Sequence, residues 1–239
     1  MKVLGLIPAR FGSTRFPGKP LLNIQGKSMI MRVYDQCRKC NSLCDVWVAT
    51  DDARIYDHVL REGGKAIMTG NHHESGTERC AEAAENFKEI DAIVNIQGDE
   101  PFIKPEQISE VVIGLLENNS IVTLASQLEK DLDVYNPNWV KVALDHANHA
   151  LYFSRAAIPF SQSKENLIPS YLKHVGIYGY KRDTLLELAK LPASPLDTHE
   201  NLEQLKWLYW GYRIKVNLTS YKSLSVDIPD DLLYLPLNS

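Results

Sequence analysis

Short apolar runs and amphipathic stretches alternate along the first half of the chain. Residues 2–7 are rich in Val, Leu and Ile, and 45–50 (DVWVAT), 65–69, 92–96 (AIVNI) and 121–126 repeat the pattern. Apolar runs this short, bounded by turn residues, predict buried strands. Between them, 28–40 carries Ile30, Val33, Tyr34 and Cys37 at helical spacing, and 53–62, 78–87 and 105–118 are helices by the same criterion. Gly63-Gly64 ends the second helix and Pro105 opens the fourth. Strands alternating with helices of about 10–15 residues predict βαβ units, and so a mostly parallel central sheet with flanking helices. The second half reads differently. Residues 140–145 and 150–154 are strands around the turn His146-Ala147-Asn148, and 172–180 is a third. Helices at 184–191 and 198–210 and a strand at 214–218 follow, and Pro229 starts a short final helix. The polar stretch 161–170 (SQSKENLIPS) is a loop. With no internal repeat or low-complexity tract, this is one α/β domain carrying a smaller inserted lobe.

Composition narrows the class. The chain has 239 residues, 44% of them hydrophobic, with 26 Lys+Arg against 30 Asp+Glu for a net charge of −4. A chain this long buries about 70–75% of its unfolded surface and folds without disulfide or metal staples. The mild acidity argues against a general nucleic-acid binder. No apolar run reaches the ~18 residues of a membrane span. The run at 3–9 is a poor signal peptide, so the expected compartment is the cytoplasm, with reduced thiols. Cys37, Cys40 and Cys44 fall at i, i+3 and i+7 and read as small hydrophobes on one helix face, since no second ligand pair completes a zinc site.

The chemistry concentrates where strands end, which is where open α/β sheets bind ligands. The first such loop, Pro8-Ala9-Arg10-Phe11-Gly12-Ser13-Thr14-Arg15-Phe16-Pro17-Gly18-Lys19-Pro20, combines cations, hydroxyls and glycines. That combination suits a polyphosphate. It is not a Walker A loop: five residues separate Gly12 from Gly18, and Pro20 stands where Ser/Thr would hold magnesium. It is not a dinucleotide loop either, because GxGxxG is absent, which counts against a nicotinamide oxidoreductase. Asp99, in Gln97-Gly98-Asp99-Glu100-Pro101, is a strand-end carboxylate of the kind that holds Mg²⁺, or else a turn acid. Asp227, in Val226-Asp227-Ile228-Pro229, reads by itself as a helix cap. Ser75 and Glu78 fit a capping box, or else mark a helix N-terminus that faces a ligand, with Arg79 close by. Asp51-Asp52 offers either metal ligands or, more simply, a cap for the helix at 53–62.

Together these residues resemble the cytidylyltransferases that activate 3-deoxy-manno-octulosonate (Kdo) with CTP. The likeness is carried by IPARFGSTRFPGKPL (7–21), VATDD (48–52), HESGTER (73–79), VNIQGDEP (94–101), NPNWVKV (136–142), ALYFSRAAIP (150–159), KHVGIYGYKR (173–182), LEQLK (202–206) and VDIPDDL (226–232). The resemblance implies a glycosyltransferase-A-like nucleotide-binding fold, Mg²⁺ as cofactor, CTP and an acid sugar as substrates, a homodimer and a place in lipopolysaccharide synthesis. It implies that Pro8, Ala9, Arg10, Ser13, Arg15, Lys19, Arg79 and Gln97 contact the nucleotide, and that Asp99 and Asp227 bind the metal. Arg10, Lys19, Asp99 and Asp227 would carry the catalysis. Gln97, Arg155, His174, Tyr178, Glu203 and Gln204 would form the sugar pocket. Residues 1–130 would then be the nucleotide-binding part, 131–225 the part for sugar binding and dimerisation, and 226–239 the metal-ligand Asp with the terminal helix. The family usually shows VDTPEDL near the end, where this chain has Ile228 for Thr and Asp230 for Glu. Kdo, its 8-amino analogue, another acid sugar, or a nucleotide-binding module without catalysis all remain open on the residues alone.

Overall fold

The computed structural model describes residues 1–12, 16–128, 131–162, 171–222 and 226. The N-terminal apolar run forms β1 (Val3–Ala9), buried along its length except at Pro8. A two-stranded ribbon follows, β2 (Asn23–Ile24) and β3 (Lys27–Ser28), joined through Gln25-Gly26. Then come α1 (Met29–Arg38), β4 (Asp45–Thr50), α2 (Ala53–Arg61), β5 (Ala66–Met68), α3 (Gly76–Ala84), β6 (Ala92–Asn95), α4 (Pro105–Leu116) and β7 (Ile121–Gln127). The remaining elements are β8 (Lys141–Leu144), β9 (Ala150–Ser154), β10 (Leu172–Lys181), α5 (Arg182–Leu188), α6 (Pro195–Glu200), α7 (Gln204–Tyr209) and β11 (Lys215–Leu218).

One nine-stranded sheet takes the order β11-β7-β10-β6-β1-β4-β5, with β8 and β9 attached beside β10. The β6-β1-β4-β5 portion is parallel, as the βαβ pattern requires. β10 runs antiparallel to both of its neighbours, so the sheet is largely parallel and not wholly so. Alternate residues of β1 serve opposite faces. Val3 and Ile7 join the core under α1, α2 and α4 with Ile30, Val59 and Val111. Leu4 and Leu6 join the core under α3, α5 and α7 with Cys80, Leu188 and Trp207. Both faces are covered, which is why these strands read as continuous apolar runs.

The strand order decides where a ligand can bind. From β1 the chain winds outward through β4 to β5, then crosses back to lay β6 on the other side of β1. That reversal opens a crevice at the carboxyl ends of β1 and β6.

Two expectations need correction. The stretch 198–210 is two helices, α6 and α7, broken at Asn201 (φ 51°). The carbonyls freed by the break, Glu200 O and Asn201 O, accept from the Arg155 guanidinium at 2.8 and 3.3 Å. Arg155 thus closes the end of α6 as a cation at a helix C-terminus. Of the cysteines, Cys37 lies in α1, whereas Cys40 and Cys44 lie beyond its end; Cys37 and Cys40 are buried and Cys44 is exposed. The expected helix at Pro229 lies outside the described residues.

Candidate nucleotide site

The parallel pairing brings the ends of β1, β4 and β6 to one edge. Pro8 and Ala9 at the end of β1 stand beside Ala49 and Thr50 of β4, and Leu6 stands beside Asn95 of β6. The loops that follow enclose a cleft of about 200 Å³. Its first wall is Arg10, Lys19 and Pro20 from the loop after β1, and its second is Gln97, Gly98 and Asp99 after β6. The third is His73, Glu74, Ser75 and Gly76 at the entrance to α3, with Arg79 one turn inside the helix. Gly98 is needed for close approach: a Cβ there would stand 3.0 Å from Pro8 O.

Lys19 Nζ donates to Asp99 Oδ2 at 2.8 Å and to Val226 O at 2.8 Å. The Val226 amide donates to Asp99 O at 2.9 Å. The C-terminal segment therefore returns to the loop after β6. Arg10 is exposed at the cleft mouth. Arg79 is buried, donating to Thr69 Oγ1 (2.7 Å) and Gly70 O (3.2 Å) and lying 3.4 Å from Asp51 Oδ1. Asp52 accepts from the Arg54 amide as the N-cap of α2, as expected. Ser75 Oγ likewise accepts from the Glu78 amide at the start of α3.

The expected sugar residues lie behind this cleft. Gln97 lies between the start of α3 and β10: a Cβ at Gly76 would meet its Nε2 at 3.7 Å, and one at Gly176 its Cγ at 4.0 Å. Glu203 accepts from Ser75 Oγ at 2.7 Å and Thr77 Oγ1 at 2.8 Å. Burial raises its pKa, and those two hydroxyls oppose the rise. Gln204 is buried at the start of α7. His174 and Tyr178 on β10 pack with ring centroids 5.3 Å apart, and Tyr178 meets Trp207 edge-on at 5.0 Å. Thr123 Oγ1 gives its hydrogen to Ile177 O at 2.7 Å, so the 3.0 Å contact with His174 assigns Nε2–H as donor. Burial, then the Lys173 charge, brings the His174 pKa down to about 3. Arg155 stands apart from the cleft walls: besides α6 it donates to Pro137 O at 3.0 Å, which leaves two of its five donors. Ser13, Arg15 and Asp227 lie outside the described residues.

Three buried polar atoms in this second region lack a hydrogen-bond partner: Asn95 Oδ1, Tyr178 Oη and Trp207 Nε1. Tyr178 and Asn95 are register partners on β10 and β6, so their side chains share a face. On the sequence alone neither Asn95 nor Trp207 has a role: Asn95 lies within the strand at 92–96 and opens the stretch that leads to Asp99, and Trp207 falls within the helix at 198–210.

A sequence profile described as cytidylyltransferase matches residues 4–214. The chain belongs to the cytidylyltransferase family. Among curated cytidylyltransferases it is 47% identical to the 3-deoxy-manno-octulosonate cytidylyltransferase of Parabacteroides distasonis, covering 97% of this chain and 96% of that protein. It is also 47% identical to the enzyme of the same name from Fusobacterium nucleatum, covering 97% and 94%. A solved CMP:2-keto-3-deoxy-manno-octonic acid synthetase complexed with CTP superposes with a TM-score of 0.93 at 40% identity, covering 98% and 96%. A 4-diphosphocytidyl-2C-methyl-D-erythritol synthase from Anaerococcus prevotii shares the fold, with a TM-score of 0.63 at 11% identity.

Proposed function

We propose that this cytidylyltransferase activates Kdo, converting CTP and Kdo to CMP-Kdo and diphosphate for lipopolysaccharide synthesis. The observation that carries the reading is the return of Val226 to Asp99 across the sheet edge where Lys19 and Arg10 gather. Asp227 follows Val226 in the sequence. The Asp99 carboxylate beside this cationic cleft fits Mg²⁺, which takes one or two carboxylates plus phosphate oxygens, and the family resemblance supplies Asp227 as the second. Asp99 has a side chain 30% exposed, which suits a ligand facing the cleft. Asp99 and Asp227 would hold the ion, which when bound lowers the pKa of the attacking hydroxyl and offsets phosphate charge.

The anomeric hydroxyl of the sugar attacks the α-phosphorus in line. Its O–P bond forms as the bond between the α-phosphorus and the bridging oxygen breaks, the hydroxyl proton passes to water, and diphosphate departs with the electron pair. Charge develops on the leaving oxygens, so fixed cations lower the barrier. Arg10 meets the triphosphate at the cleft mouth. Lys19, held between Asp99 and Val226 O, exchanges those partners for phosphate oxygens. Pro8, Ala9, Ser13 and Arg15 complete the nucleotide side. Arg79 fixes the far wall through Gly70 and Thr69.

Residues 1–130 serve the nucleotide and 131–225 the sugar. Gln97 bridges the two parts, and the unpartnered Tyr178 Oη suits a hydroxyl-rich ligand. His174, Glu203 and Gln204 supply further polar groups, and Arg155 has two donors left for a carboxylate. Exposed Leu151 on β9 and Tyr209 and Trp210 at the end of α7 support a homodimer built on the second part. No helix among the described residues is long and apolar enough to cross a membrane; the proposed site of action is the cytoplasm. Diphosphate release from CTP, measured in parallel with Kdo and its 8-amino analogue, tests the assignment. Kdo is expected to be turned over with the higher kcat/KM. Preference for the analogue would move the substrate, and turnover of neither would overturn the reading.

A further inference from the structure

The loop between β5 and α3 carries a cluster the nucleotide chemistry does not use. His72 and His73 pack with ring centroids 4.2 Å apart. Glu82, two turns into α3, bonds to His73 Nε2 and accepts from the Gly70 amide at 2.9 Å. One ligand atom from each of His72, His73 and Glu82 lies within 4.8 Å of the others. His72 is seated against Gly70, where a Cβ would come within 2.4 Å of the ring. The glycine therefore lets the imidazole fold back towards Glu82.

We propose that His72, His73 and Glu82 form a site for a divalent transition-metal ion, distinct from the Mg²⁺ ligands at Asp99. Two imidazole nitrogens and one carboxylate oxygen match Zn²⁺ or Co²⁺, whereas Mg²⁺ prefers oxygen donors alone. Ligand atoms around Zn²⁺ sit about 2.0–2.2 Å from the metal, so those of a bound set lie about 3–4 Å apart. Small side-chain rotations close the present spacing to that value. One coordination position at least stays open to water, because the protein supplies three ligands. Two features tie the site to the cleft: His73 is in its wall, and Gly70 O is held by Arg79. A bound ion would pin the loop that forms this wall to α3.

The test is Co²⁺ titration of the tag-free protein in saturating Mg²⁺, read by visible d–d absorption, with Zn²⁺ alone followed by calorimetry. One site per chain is expected, with the d–d intensity of a nitrogen- and oxygen-ligated ion. His72→Ala changes an exposed residue outside the cleft wall and should weaken binding at least about tenfold, with Glu82→Gln doing the same. CTP turnover in Mg²⁺ should be unchanged in His72→Ala. Zn²⁺ should raise the melting temperature of the parent and not of His72→Ala. Absence of binding, binding that His72→Ala leaves intact, or a thiolate charge-transfer band from Cys44 would each overturn the proposal.

Discussion

Replacing His174 with Gln measures how completely the region behind the cleft excludes water. The imidazole lies edge-on to Phe153 at 5.1 Å, next to Tyr178, and donates to Thr123. The residue keeps some exposed surface, and its ring packs against Phe153 and Tyr178. Its pKa is brought from 6.5 down to about 3 by burial and then by Lys173. The folded protein therefore keeps the ring neutral in mild acid, while the unfolded chain protonates it below pH 6.5. The unfolded state then binds more protons, so the stability due to His174 is full above pH 6.5 and falls as the pH drops towards about 3. Each pH unit in that window is worth at most about 1.4 kcal/mol, so at most about 2 kcal/mol is lost between pH 6.5 and about pH 5. Gln retains the donor to Thr123 and cannot titrate. Urea unfolding of both proteins at several pH values between neutrality and about pH 5 gives the difference in stability. That difference should shift against the parent by up to about 2 kcal/mol over the range. Parallel pH profiles would show that the ring is solvated and would refute the enclosure.

Other substitutions probe the supports of the site. Lys141 is fully buried and donates to Asn136 O, Trp139 O and Arg155 O. Lys141→Met should destabilise by about 3–5 kcal/mol in chemical denaturation, because three carbonyls lose a charged donor. The Arg54 guanidinium lies 3.4 Å from the Phe11 ring centroid and is held by Asp52 at 2.9 and 2.6 Å. Phe11 belongs to the loop that carries Arg10 and Lys19, so Arg54→Ala should raise the KM for CTP about 2- to 5-fold, the equivalent of an exposed cation–π contact. Unchanged KM would detach α2 from the phosphate loop. Arg155→Ala should raise the KM for sugar far more than that for CTP and lower the melting temperature, since α6 loses its cap; equal effects on both substrates would count against the sugar role.

The first half of the fold was legible because its strands are buried on both faces and its helices have apolar stripes. DVWVAT is β4 residue for residue, and the other boundaries moved by two or three residues at most. The split between α6 and α7 was hidden because Asn201 adopts a left-handed conformation that Arg155 supports from a distant strand end. Ser194-Pro195 with Asp197 was a readable start signal for α6 that periodicity alone passes over. The β2–β3 ribbon was too short to show alternation. At the site, the strand-end loops carried their chemistry openly in Arg10, Lys19 and Gln97-Gly98-Asp99. Glu203 was legible only through the resemblance, because its hydrogen bonds reach back 128 positions to Ser75. Asn95 and Trp207 were silent because an unpartnered polar atom is a property of packing, not of sequence.

The central claim is that Asp99 acts at the triphosphate as a charged ligand. Asn at position 99 keeps the size and removes the charge. Diphosphate release by Asp99→Asn with CTP and Kdo should fall on the order of 10²-fold or more in kcat, as when a transition-state electrostatic group is lost. Circular dichroism and unfolding should stay close to those of the parent. Near-parental turnover in a folded Asp99→Asn protein would contradict the account.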